Sequence, residues 1–199
     1  RDSPDFSSVL RKIIDRKRHM DIQDIETLYL HRQSCRAFDG REVPEELVKK
    51  VCSLALLAPS ACNAQPWKLV AVLGEQRKEV AKCLQGLGMN KFASDAGALV
   101  AICSGKSNLT AKLGGRMKGT DFTANDLGIL TAHLVLAADA AGLSSCILGW
   151  RNEDRLREVL GVGKETHIPV VVALGYAKED DPIRPKKRKP YKETLLILK

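Results

Sequence analysis

Aromatic residues are scarce in this chain: four Phe, three Tyr and two Trp make up 5% of its 199 residues. A basic surface that stacks nucleic-acid bases needs rings interleaved with its cations. The net charge of +8 therefore does not by itself point to nucleic acid, and no nucleic-acid partner is expected. Apolar runs of membrane-spanning length are also missing. The longest candidates, such as Ile129 to Leu136, are broken by Thr131 and His133, so no membrane partner is expected either. A C-x-x-C pair is absent among the six cysteines at 35, 52, 62, 83, 103 and 146, which removes support for zinc or thioredoxin-like chemistry. With no secretory signal pattern in view, the cysteines read as reduced and the setting as cytoplasmic. The four histidines (His19, His31, His133, His167) show no metal-binding pairing, and no metal site is expected.

Several catalytic signatures are missing too. Gly105-Lys106-Ser107 lacks the earlier glycine of a phosphate loop, since Val100 stands there. Gly86-Leu87-Gly88 lacks both a third glycine in register and a preceding strand. There is no G-x-S-x-G elbow, and no nucleophile or acid–base dyad stands out. Chemistry without side-chain machinery points to a bound cofactor that the protein positions and polarises.

What is present reads as alternating helices and strands. Val9, Leu10, Ile13 and Ile14 predict an amphipathic helix over 7–17, and Ile22, Ile25, Leu28 and Tyr29 share a face of a second helix to about Arg32. Pro44 at a first helical position, followed by Glu45 and Glu46, opens a third helix that should end near Ala58, before Pro59. Strands are expected at Trp67–Leu73, Ala98–Cys103, Ser144–Leu148 and Pro169–Leu174, with a short helix at Arg77–Leu84. Residues 104–119 turn polar and read as a surface loop, a candidate lid. The strongest helical repeat runs over 123–141, where small residues at Gly128, Ala132, Ala137 and Ala138 would admit another helix closely. His133 within it reads as a core or interface histidine. Asn152 caps a helix that stops at Gly161. The strands are apolar enough to be covered on both faces, which predicts a three-layer α/β or α+β domain.

Two segments carry the polar chemistry. Ala58-Pro59-Ser60-Ala61-Cys62-Asn63-Ala64-Gln65-Pro66-Trp67 sets hydroxyl and amide groups between two prolines. It reads either as a capped helix end with a turn or as a surface for a hydrogen-bonding ligand. Arg32-Gln33-Ser34-Cys35-Arg36 reads either as an ordinary cationic helix terminus or as an anion site. A basic tail runs from Arg184 through Lys186, Lys187, Arg188 and Lys189 to Lys192. It is open to solvation, nuclear import, nucleic-acid contact or capture of a phosphorylated small ligand.

Together, Arg32 to Phe38, Ala58 to Trp67 and Ser145-Cys146-Ile147-Leu148-Gly149-Trp150 resemble the FMN-dependent nitroreductase family, over roughly residues 21 to 194. The resemblance implies an α+β, three-layer α/β/α fold with a central, mostly antiparallel sheet flanked by helices, in an obligate homodimer. Residues 1–20 would be an N-terminal helical extension and 21–199 a single FMN-binding domain with a basic C-terminal arm. It further implies an NAD(P)H oxidoreductase that takes reducing equivalents from NADH or NADPH, by way of flavin N5, to a small-molecule acceptor in a ping-pong mechanism. The acceptor would be a nitroaromatic, quinone or similar conjugated compound. A specialised relative (reductive dehalogenation or flavin fragmentation) and a non-catalytic flavin binder are the alternatives. By the same analogy Arg32, Gln33 and Ser34, with Lys186 and Arg188, hold the phosphate and ribityl chain, and Arg36 stabilises reduced flavin. Pro59, Ser60, Ala61, Asn63 and Gln65 reach the partner's flavin, Leu148 and Gly149 approach the ring, and Cys35 and Cys62 serve packing.

Overall fold

The computed structural model describes residues 21–104 and 122–199. The helix expected over 7–17 and, beyond Ser104, the loop expected over 104–119 lie outside the described residues. Four strands, β1 (Trp67–Val72), β2 (Ala98–Ser104), β3 (Ser144–Leu148) and β4 (Val170–Gly175), form one sheet in the order β1-β2-β4-β3. Every pairing between them is antiparallel, with Ala101 opposite Val70 on one side and Val171 on the other.

The period-two alternation of β2 divides the core into two layers. Leu99, Ala101 and Cys103 pack with Val80, Ala81 and Leu84 of α3 (Gln76–Leu84) and with Leu156 of α5 (Glu153–Leu160). Ala98, Val100 and Ile102 face the other way, toward Val48 and Val51 of α2 (Glu45–Ala55) and Leu130 and Leu134 of α4 (Phe122–Ala140). Residues 171–174 of β4 alternate likewise. A sheet apolar on both faces must be covered on both faces, which yields the three-layer α/β/α arrangement expected from the sequence. α1 (Ile22–His31) lies outside, on α4, and α6 (Tyr191–Thr194) is a single exposed turn in the tail.

Local chemistry sets the element ends. The Asp21 carboxylate caps α1 through the Gln23 N–H. Asn152 caps α5 through the Arg155 N–H, and Gly161 closes it at φ 63°, a left-handed position where glycine carries no Cβ penalty. Pro44 is the N-cap of α2 rather than its first residue, and α2 ends at Ala55 rather than near Ala58. Leu57 and Ala58 instead form turns back to Leu54 and Ala55.

One expected face is not buried. Ile22 and Tyr29 of α1 are 74% and 58% exposed. On α4, Leu127, Leu130, Leu134 and Ala138 are buried while Gly128, Ile129 and Ala132 are exposed. A helix apolar nearly all round thus packs one side and leaves a stripe of small and aliphatic residues bare.

Leu134→Ala would open a void between α4 and the sheet. The expected loss is about 2–5 kcal/mol, read as a lower urea midpoint with an unchanged m-value.

Candidate functional site

The Arg32–Arg36 segment begins where α1 stops, with the Arg32 N–H donating to the Leu28 carbonyl. It then docks on the free edge of the sheet. Ser34 forms a parallel bridge with Ser145 of β3, and the Cys35 N–H donates to the Ser145 carbonyl at 2.9 Å. Phe38 bridges Ala177 just past β4 and is buried. The chain therefore holds its cationic segment along β3 by main-chain bonds.

The basic tail returns to the same place. The Gln33 amide donates to the Pro182 carbonyl at 3.0 Å, and its oxygen accepts the Arg184 N–H at 3.0 Å. Arg184 Nη2 donates to the Ser34 carbonyl at 2.8 Å, and Lys186 Nζ to the Arg32 carbonyl at 2.7 Å. Between tail and segment lies a cleft of about 370 Å³ lined by Arg32, Gln33, Ser34, Arg184, Pro185, Lys186, Lys187 and Arg188. Five of these residues are cations and none is an acid. Burial, then the Arg32 and Arg188 guanidiniums, hold the Lys186 ammonium below its ordinary pKa. Such crowding favours an anion between the cations.

A second, mostly apolar cavity of about 610 Å³ shares Arg32 with the cleft. Its walls come from Tyr29 of α1, from Leu127, Gly128, Ala132 and Val135 of α4, from Ile147 of β3, and from His167, Pro169 and Val170. Leu148 is buried at the end of β3, and Gly149 after it is exposed, with open space where a side chain would project.

The sequence-predicted residues divide accordingly. Arg32, Gln33, Ser34, Lys186 and Arg188 come together in the cleft, although the Gln33 side chain is spent on holding the tail. Arg36 is exposed and lines neither cavity, but its charge reaches Cys146. Pro59, Ser60, Ala61, Asn63 and Gln65 line neither cavity of their own chain. The Ser60 hydroxyl accepts the Gln65 N–H at 2.9 Å, and the Gln65 amide donates to the Asn63 side chain at 3.1 Å. Cys62, Asn63 and Gln65 have φ of 53°, 50° and 45°, left-handed values unusual for residues with a Cβ. Cys35 is buried, as a packing residue should be, and burial pushes its thiol pKa up. Cys62 is exposed and is not a packing residue, because the loop turns it outward. None of the six cysteines forms a disulfide.

Three residues escaped the sequence reading. Arg184 lay in the basic run, but nothing local marked it out from its neighbours. Asp126 is buried in α4 and accepts the Ala61 N–H at 3.0 Å, anchoring the 59–65 loop. Glu153 opens α5 and accepts from His167 Nδ1 at 2.8 Å, the Ile168 N–H at 2.8 Å, Arg151 Nη2 at 2.9 Å and Arg157 Nη2 at 2.8 Å. Burial alone would raise the Glu153 pKa; the Ile168 amide, His167 and Arg151 outweigh it and hold the carboxyl below its usual range. An acid fourteen positions from its histidine leaves no short motif to find. Among the described residues no group of three or more His, Cys, Asp or Glu is placed to hold a metal, and no helix is long and apolar enough to cross a membrane.

Comparison with known proteins gives one consistent result. The model of the nitroreductase family matches residues 29–176. A protein of Archaeoglobus fulgidus whose name pairs NADH dehydrogenase with NAD(P)H nitroreductase is 31% identical over 153 residues, covering 75% of this chain and 83% of that protein. The crystal structure of a nitroreductase family protein from Streptococcus pneumoniae superposes with a TM-score of 0.74 at 24% identity, covering 87% of this chain and all of that one. The FMN-dependent nitroreductase NfnB of Mycobacterium smegmatis, solved with NADPH, gives 0.73 at 22% identity over 89% of this chain and 99% of that one.

Glu153→Gln should lower stability at pH 7 by about 1–3 kcal/mol, since it weakens hydrogen bonds to charged partners. A carboxyl whose folded pKa is depressed stabilises the fold above its unfolded pKa of roughly 4.3 and loses that contribution as pH falls through the folded value. The gap between wild type and variant in urea melts should therefore close in acid.

Proposed function

Because the chain belongs to the nitroreductase family and is an NAD(P)H oxidoreductase, we propose that it works with bound FMN in a homodimer. The carrying observation is the cleft with five cations and no acid. A phosphate dianion there would relieve the repulsion that depresses the Lys186 pKa. The residues present fit FMN: a cationic cleft for its phosphate opens, at Arg32, onto an apolar cavity suited to a flat ring. The open space at Gly149 lets main chain approach that ring.

Arg32, Ser34, Lys186 and Arg188 would hold the phosphate and ribityl chain, with Arg184 and Gln33 fixing the tail that carries two of them. Arg36 would place a fixed cation near the ring, where it stabilises developing negative charge. When bound, FMN would supply the hydride chemistry, accepting from NADH or NADPH and passing reducing equivalents to a nitroaromatic, quinone or similar conjugated acceptor in alternating half-reactions. The protein's share is orientation and exclusion of water. Six cysteines without a disulfide fit a reducing, cytoplasmic setting.

The dimer accounts for two features of the single chain. The bare stripe on α4 and the exposed Leu195, Leu196, Ile197 and Leu198 need cover. The 59–65 loop, which lines neither cavity of its own chain, would serve the other copy.

Purified protein titrated with FMN should bind it and then oxidise NADH or NADPH in the presence of nitrobenzene. Lys186→Met should weaken FMN binding roughly 10- to 100-fold, the equivalent of about 1.5–3 kcal/mol for a charge-assisted hydrogen bond; unchanged affinity would remove the tail from the site.

A mixing experiment tests the shared site. Arg32→Ala and the double substitution Asn63→Ala with Gln65→Ala should each impair turnover, and refolding the two variants together should restore it. A mixed dimer then holds one site with both parts intact; no restoration would confine each site to one chain.

A further inference from the structure

The geometry points to His167, oriented by Glu153, as the proton donor to the electron acceptor, with the 610 Å³ cavity as the place of transfer. The inference rests on the functional reading above and adds to it a Brønsted acid of the protein's own.

Among the described residues, three with titratable side chains line the cavity: Tyr29, Arg32 and His167. Free phenol and guanidinium groups keep their protons at neutral pH, whereas imidazole is the side chain whose charge changes between pH 5 and 8. His167 is also positioned. Its N–H donates to the Ser104 hydroxyl oxygen at 2.9 Å, and its carbonyl accepts the Ser104 N–H at 2.7 Å, so its main chain is tied to the end of β2. Its ring meets Glu153 Oε1 at 2.8 Å through Nδ1.

That contact fixes the tautomer. Glu153 already receives the Ile168 N–H and two guanidiniums, Arg151 and Arg157, and is ionised. An ionised carboxylate can only accept, so Nδ1 carries hydrogen and Nε2 is left to exchange the second proton. An anchored carboxylate held against an imidazole is the arrangement by which an acid group orients a histidine. The groups that bear on the ring are Glu153 at Nδ1, with Arg151 and Arg157 on the same carboxylate, and Arg32, which lines the same cavity.

The chemistry gives such a donor a task. Conversion of a nitro group to nitroso takes two electrons and two protons. Hydride delivers both electrons and one proton; the resulting anion must take a second proton before an N–O bond breaks and oxygen leaves as water. Imidazolium Nε2–H supplies that proton and becomes neutral imidazole, which solvent recharges. Hydride uptake from NADH makes no such demand on His167, so the two half-reactions should separate.

The test uses FMN-loaded protein, NADH and nitrobenzene in stopped flow. In wild type, oxidation by nitrobenzene should slow as pH rises from 5 to 8. His167→Phe should slow that step by roughly 100-fold or more and flatten its pH profile, while reduction by NADH slows far less. Independently of turnover, ¹⁵N NMR of the FMN-free protein should show His167 with Nδ1 carrying hydrogen; a ring whose only hydrogen is on Nε2 would overturn its orientation by Glu153. Wild-type protein that binds no FMN would overturn the functional reading and this inference with it. Protein that binds FMN and oxidises NADH, yet keeps its nitrobenzene rate and pH profile in His167→Phe, would overturn this inference alone.

Discussion

The hydrogen bond from the Cys35 amide to the Ser145 carbonyl, with the Ser34–Ser145 bridge beside it, is the joint on which the site depends. Both partners are main-chain groups at a sheet edge, so the attachment is insensitive to which side chains surround it. Once it forms, Arg32 and Ser34 stand at one end of β3, and their carbonyls become the acceptors that Arg184 and Lys186 seek. The tail has no core of its own and borrows its position from this segment. A cleft with five cations and no acid in its lining follows from two basic stretches being tied to each other through side-chain bonds to main-chain carbonyls.

The sheet imposes the complementary constraint. β2 is apolar on both faces and β4 nearly so, which leaves no room for polar chemistry in the middle of the protein. Charged and hydroxyl groups collect outside the sheet, along its free edge at β3 and where β2 ends and β4 begins. There α4 contributes an apolar wall, and the turn into β4 contributes His167. Charge and apolar surface are thereby separated into adjoining compartments joined at Arg32, a layout suited to a ligand with an anionic end and a flat unsaturated end.

Much of this was legible in the chain. Alternating strands and helices predicted the three layers because burial on both faces leaves a continuous apolar signature, as at Ala98 to Cys103. Caps at Asn152 and Gly161 were readable because capping is local. The end of α2 was misjudged by about three residues: Pro59 sets a limit on the helix but does not say where it stops, and turns at Leu57 and Ala58 intervene. The face of α1 was chosen by periodicity, yet a helix resting on the outside of α4 leaves Ile22 and Tyr29 exposed. Arg32 and Ser34 were singled out by residue type within one short segment, and the fold brings both to the cleft. Glu153, Asp126 and Arg184 were not, because each acts on a residue distant in sequence, and a partner brought near by folding leaves no pattern along the chain.

The left-handed backbone at Cys62, Asn63 and Gln65 has a consequence for how this loop can vary. Each such residue costs of order 1–3 kcal/mol unless its surroundings compensate, and Asp126 with the Ser60 hydroxyl does part of that work here. Glycine relieves the strain and asparagine tolerates it, whereas valine, isoleucine and threonine would meet their own backbone. The permitted alphabet at these three positions is therefore narrow before any ligand is considered. Across related sequences, a restricted choice of residues there is owed first to main-chain geometry, and only what remains after that filter speaks of binding.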